Sequence, residues 1–144
     1  MRVSGILAHK GSTVATIAPE ARVSDAAAEL RLRGVGALVV SADGRHIDGI
    51  LSERDIVRRL AERGEHALGE IVADVMSTRV NTCAPDDSAE HLMRLMTEHR
   101  HRHLPVVSDD LLVGIVSIGD VVKSRLTELE EEARKMHDYI TTGR

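Results

Sequence analysis

Two short segments carry the residues best suited to chemistry, Ser52-Glu-Arg-Asp55 and Ser117-Ile-Gly-Asp120. A serine followed three residues later by an acid, just ahead of an apolar run, is a capping box. The hydroxyl takes an orphan amide of the first turn and the acid reaches back. The same ionised carboxylate only accepts hydrogen bonds, which suits the two neighbouring hydroxyls of a ribose. The helix N-terminus beside it offers amide hydrogens and the positive end of a dipole to phosphate. Arg54, Arg100 and Arg102 supply guanidinium forks that match phosphate oxygens. His99-x-His101-x-His103 has the alternation of a strand-borne transition-metal site. That stretch runs from a helix end into a strand, which breaks the alternation, and its two arginines repel a cation. A solvated basic edge or phosphate rim is expected there, and no metal. The chain has no nucleophile elbow, Gly-rich phosphate loop or zinc-protease helix motif, so no catalytic residue is expected.

The elements that position these residues must come from 144 residues with 42% hydrophobic content, enough for one compact unit or two small halves. With no Phe, no Trp and one Tyr, the core must be aliphatic. Scarce aromatics argue against a reader of single-stranded nucleic acid. A net charge of −4 gives no global basic field for a phosphate backbone. The single cysteine, Cys83, excludes an internal disulfide and a multi-cysteine zinc site; a small buried thiol in a strand is expected. No apolar run is long enough for a signal peptide or a bilayer span, so a cytoplasmic location and no membrane partner are expected.

The chain repeats itself. Gly49-Ile-Leu-Ser-Glu-Arg-Asp-Ile-Val57 aligns with Gly114-Ile-Val-Ser-Ile-Gly-Asp-Val-Val122 at an offset of 65; Thr16-Ile-Ala-Pro19 aligns with Thr82-Cys-Ala-Pro85 at 66; Val39-Val40-Ser41 aligns with Val106-Val107-Ser108 at 67. Each copy reads strand, helix, strand, strand, helix. Ser24 and Ser88 are placed to cap the first helices, Gly34 and Gly64 to stop helices, and Asp43-Gly44 and Asp109-Asp110 to turn the chain. Met93 and Met96 are expected as core fillers. The expected division is 1–10 as a leading segment, 11–66 as the first repeat, 67–76 as a connector, 77–125 as the second repeat and 126–144 as a C-terminal helix and tail. That last helix carries an apolar stripe, Leu126, Leu129, Ala133, Met136 and Ile140, which needs a partner. The fold expected is mixed α/β (α+β), with two β-α-β-β-α repeats packed sheet to sheet about a pseudo-twofold axis.

At this point the residues resemble a known family. The paired Gly-hydrophobic-x-Ser-x-x-Asp segments, each after a Val-Val strand, together with His101-Arg-His-Leu-Pro-Val-Val107, are similar to the CBS domain. The resemblance covers about residues 11 to 125 and is to the small stand-alone bacterial tandem pairs, or Bateman modules. It implies binding of an adenosine ligand (AMP, ADP, ATP, sometimes NAD or S-adenosylmethionine) in clefts between the copies, usual assembly as a homodimer, and a regulatory role on an unidentified protein, with no required cofactor.

By the same resemblance, each cleft mixes the front of one copy with the back of the other. The main cleft would join Ser52, Arg54 and Asp55 to Thr82, Arg102, His103 and Pro105. The second would join Thr16, Ala21, Val35, Gly36 and Ala37 to Ser117, Gly119 and Asp120. The arginines favour the main cleft for polyphosphate, although Asp87 stands where the first copy has Ala21. The second cleft has glycines in place of arginines, and nothing in the sequence fixes Lys10 or Lys123 there. A ligand-free dimeric interaction scaffold, with the carboxylates serving only as caps, is the alternative.

Overall fold

The computed structural model describes residues Met1 to Thr142. Strand β1 (Thr16–Ile17) runs parallel to β2 (Ala37–Val40), which pairs antiparallel with β3 (Gly49–Ser52). Helices α2 (Val23–Arg33) and α3 (Glu53–Arg63) follow β1 and β3. In the second repeat α5 (Ala89–His99) precedes the hairpin β4 (His103–Ser108) and β5 (Leu111–Ser117). Cys83 bridges Val106 in parallel, as Ile17 bridges Val40. The chain is an α+β fold with two small sheets.

The ladders correct one alignment. Leu38 pairs with Leu51, and Leu104 with Val116, so Leu104 is the counterpart of Leu38 and Pro105 that of Val39. The Val-Val match at 67 is one residue out of step. A β-bulge between Val106 and Val107 disturbs the second ladder, and a slip of one residue reverses which face each side chain takes.

Helix ends follow local chemistry. Ser88 caps α5, its Oγ accepting from the His91 amide at 3.1 Å. The cap of α2 lies two residues earlier than expected: Arg22 is the N-cap and its amide donates to Asp25 Oδ2 at 3.0 Å, leaving Ser24 inside the first turn. Gly34 ends α2 at φ 63°, and Arg100 takes the same left-handed position after α5 at φ 55°. Asp109 and Asp110, at φ 52° and 62°, make the two-residue hairpin turn. The C-terminal helix does not begin near residue 125: α6 runs unbroken from Ile118 to Thr142.

Each repeat has its own aliphatic core. Leu30, Leu38, Val40, Leu51 and Ile56 fill the first; Leu92, Met96, Leu104, Val106, Val116 and Val121 fill the second. Met93, expected inside, is 37% exposed. The opposite face of β2, Ala37 and Val39, is also buried yet lies outside that core.

The flanking pieces complete these cores crosswise. Helix α1 (Val3–Lys10) places Val3 and Ile6 in the core of the second repeat. Helix α4 (Val72–Val75), after a 3₁₀ turn (Gly64–Gly69), places Val72 in the core of the first. The main-chain bonds repeat as well. Val3 and Ser4 amides donate to Asp87 and Pro85 carbonyls at 2.9 Å, and Val72 and Ala73 amides to Ala21 and Pro19 at 2.8 and 3.0 Å.

Two glycines permit this seating. A Cβ on Gly114 would lie 2.8 and 2.9 Å from the Leu7 methyls, and one on Gly49 2.6 Å from Met76 Sδ and 2.8 Å from the Ser77 carbonyl oxygen. Gly114→Ala should therefore destabilise by about 1–3 kcal/mol. In a double-mutant cycle followed by urea unfolding, Leu7→Ala should remove most of that penalty. Met76→Ala should not rescue Gly49→Ala, because the Ser77 main chain still blocks the space.

Candidate functional site

Each capping carboxylate is held by its own helix. Asp55 Oδ2 accepts from the Ser52 amide at 2.9 Å and the Ser52 hydroxyl at 3.0 Å, while Ser52 Oγ accepts from the Asp55 amide at 3.2 Å. Asp120 Oδ2 accepts from the Ser117 amide at 2.9 Å, and Ser117 Oγ from the Asp120 amide at 3.1 Å. The first turns are tied to the neighbouring strands: the Glu53 amide donates to the Gly36 carbonyl at 3.0 Å and the Ile118 amide to the Arg102 carbonyl at 2.8 Å.

The two carboxylates then differ. Lys10, at the end of the exchanged α1, donates to Asp120 Oδ2 at 2.6 Å and to the Ile115 carbonyl at 2.9 Å. Asp55 has no such cation, and among the described residues Arg54 and Arg102 form no ion pair and are exposed. Burial opposes ionisation of Asp120, but the Lys10 ammonium and the Ser117 amide and hydroxyl outweigh it and hold the carboxyl below its ordinary range. Sequence reasoning left Lys10 unplaced. A signal existed, since Val3, Ile6, Leu7 and Lys10 recur as Val72, Val75, Met76 and Arg79 at an offset of 69.

The repeats meet at His103. A Cβ on Gly36 would lie 3.0 Å from His103 Cε1 and 3.2 Å from Glu53 Oε1. The ring therefore reaches across from β4 to the first repeat, joining a residue grouped with the main cleft to Gly36 of the second. Burial lowers the pKa of His103, and Lys10 adds to the effect; Glu53 and Asp120 pull the other way. Arg102 immediately precedes His103, which opens β4, and Asp55 lies in the first turn of α3, which begins at Glu53.

The remaining expected site residues are spread over both repeats and differ in exposure. Thr82 is exposed, Thr16 and Ala21 are half-buried, and Ala37 and Pro105 are buried within strands. Val35 and Gly36 line an open depression of about 440 Å³ with Glu53, Ile56 and Val57. It lies on a helix face of the first repeat rather than between the two. The histidine run is dispersed: His99 ends α5, His101 contacts Asn81 Nδ2 through Nδ1 at 3.0 Å, and His103 opens β4. Among the described residues no three His, Cys, Asp or Glu side chains cluster as metal ligands. Burial pushes the Cys83 thiol up to about 12, which leaves it unreactive. No helix among the described residues is long and apolar enough to cross a membrane.

Comparison with known proteins adds independent findings. The family model of the CBS domain matches twice, over residues 11–62 and 72–126. The CBS domain-containing protein CBSX3, mitochondrial, of Arabidopsis thaliana is 37% identical over 125 residues, 84% of this chain and 61% of that protein. The chain thus spans somewhat less than two thirds of this relative. The crystal structure of the CBS-domain containing protein ATU1752 from Agrobacterium tumefaciens superposes with a TM-score of 0.84 at 40% identity, covering 87% of this chain and 99% of that one. The CBS domain pair of MJ0100, solved in complex with 5′-methylthioadenosine and S-adenosyl-L-methionine, gives 0.76 at 25% identity, covering 88% and 99%.

The surroundings of His103 set a pH dependence. Its folded-state pKa lies below the ordinary 6.5, so the unfolded chain binds more protons between the two values. Stability from this group is complete above pH 6.5 and declines as pH falls from there through the depressed value. Urea unfolding of the protein and of His103→Gln between pH 8 and pH 5 measures it. The variant should lack this part of the decline.

Proposed function

Because the chain belongs to the CBS-domain family, with two such domains in tandem, we propose that it is a non-enzymatic regulatory module that binds an adenosine-containing ligand between them. The main site is at the N-terminus of α3. Asp55 accepts hydrogen bonds from the ribose hydroxyls, the strand and loop main chain near Thr82 reads the adenine edge, and Arg102 and Arg54 take the phosphates. Pro105 and His103 form the wall on the side of the second repeat.

The observation that carries this reading is the inequality of the two carboxylates. Asp55 is committed only to its own cap and, among the described residues, pairs with no cation, whereas Asp120 is already paired with Lys10; Arg54 and Arg102 are exposed and form no ion pair among the described residues. At the first a ribose competes with no side-chain cation for the carboxylate, whereas at the second it shares the carboxylate with Lys10. Bound adenosine compounds in the MJ0100 pair support the ligand class. AMP, ADP, ATP and NAD share the ribose and adenine contacts, so the phosphates and their arginines discriminate among them.

Isothermal titration of AMP, ATP and NAD against the purified protein tests this. Asp55→Ala should abolish the heat while costing only about 1 kcal/mol of stability through the lost cap. Arg102→Ala should weaken ATP by about 10–100-fold and leave adenosine binding nearly unchanged. Absence of heat with millimolar ligand would remove the proposal, as would full binding by Asp55→Ala.

A further inference from the structure

Helix α6 carries a second pattern that the cleft does not use. Val122, Leu126, Leu129, Ala133, Met136 and Ile140 follow one another at spacings of 4, 3, 4, 3 and 4, the strict alternation of a coiled-coil seam. Five of these are large apolar side chains in water: Val122 is 42% exposed, Leu126 55%, Leu129 45%, Met136 67% and Ile140 76%. They are not the face that binds the helix to its own body. That face is Val121 and Ser124, buried, with Arg125 and Glu128 half-buried. At 3.6 residues per turn the seam is centred roughly 100° around the helix from it. From Leu129 to Thr142 every residue is exposed. Nearer the body, Val122 and Leu126 line an open depression of about 460 Å³ with Lys123, Thr127 and Glu130.

We propose that this seam pairs with α6 of a second copy of the chain as a parallel two-stranded coiled coil. The charges beside the seam select the occupant and its direction. In parallel register, Arg125 of one helix faces Glu130 of the other, and Glu132 faces His137, each contact occurring twice by symmetry. An antiparallel pair covering the whole seam sets Leu126 opposite Met136 and Leu129 opposite Ala133. It also sets Glu130 against Glu130 and Glu132 against Glu132, which repel. Arg125 already holds Glu128 at 2.9 Å within its own helix, and its five donors leave room for a second acid. Ala133, in the middle of the seam, lets the two backbones approach closely.

Sedimentation velocity on the full chain should show a concentration-dependent dimer. Leu129→Lys with Met136→Lys should raise the dissociation constant at least about 100-fold, since two charges per helix would be buried in the seam. The urea midpoint of the dilute protein should not move, because both side chains are exposed in the single chain. Met136→Cys should give a covalent dimer on mild oxidation, with the buried Cys83 silent. A monomer at about 100 μM protein, or association unchanged by the double lysine variant, would overturn the proposal. So would cross-linking that appears only when Leu126→Cys and Met136→Cys chains are mixed, the antiparallel signature. Nucleotide titration of the same lysine variant is independent of this result, so failure here leaves the cleft reading standing.

Discussion

The crosswise seating of α1 and α4 is the constraint from which the rest follows. Each repeat lacks part of its own core and receives it from the segment that precedes the other repeat: Val3 and Ile6 go to the second, Val72 to the first. Neither segment is a tether in the mechanical sense. Each is a short helix fixed by two main-chain hydrogen bonds and seated against a strand glycine, where any Cβ would collide. The repeats are held together by covalent connections that pass through one another's interiors, so their relative placement is set by packing and not by linker length. The reach of His103 to Gly36 is a consequence of that placement.

The exchange also makes the two halves chemically unequal. By pseudo-symmetry Lys10 corresponds to Arg79, yet Lys10 ends its helix against Asp120 while Arg79 is exposed and, among the described residues, makes no ion pair. An exposed lysine–carboxylate pair contributes little to stability. Its effect here is on occupancy of the carboxylate, which has spent an oxygen on an internal cation. Burial of His103 between the repeats works in the same direction: with Lys10 nearby its imidazole favours the neutral form, so the junction adds no further charge. Among the described residues Arg54 and Arg102 form no ion pair and are exposed.

Much of this was legible in the sequence. Local signals were reliable: both capping boxes, the stops at Gly34 and Gly64, the Asp109-Asp110 turn and the buried strands follow from residue types within a few positions. The cap of α2 was misplaced because Asp25 reaches the Arg22 amide and needs no serine. The Val-Val alignment slipped by one because valine pairs occur on both strands while the bulge at Val106 shifts only one ladder. What the sequence concealed were contacts between distant segments. Lys10 and Asp120 are 110 residues apart, and α1 and α4 are too short to show an amphipathic stripe that names its partner. His103 read as one cleft's residue because nothing local shows that its ring crosses to the other repeat.

One element then joins the two proposals. Helix α6 begins at the Ser117–Asp120 cap, contributes Val121 to the core of the second repeat, and carries the exposed seam along its remaining length. Its 25 residues make a rod of about 37 Å. A small rotation of the second repeat at the cleft becomes a larger displacement at Ile140. A seam whose rungs are the pairs of Arg125 with Glu130 and of Glu132 with His137 has a preferred geometry and resists that displacement. Ligand at the Asp55 cleft can change seam pairing only by binding one arrangement of the repeats better than another. By the same linkage, a seam that favours one arrangement must change nucleotide affinity by an equal factor. Any coupling of this kind must be reciprocal, and the continuous helix from the cap to the seam is the element through which it would run; either proposal stands without it.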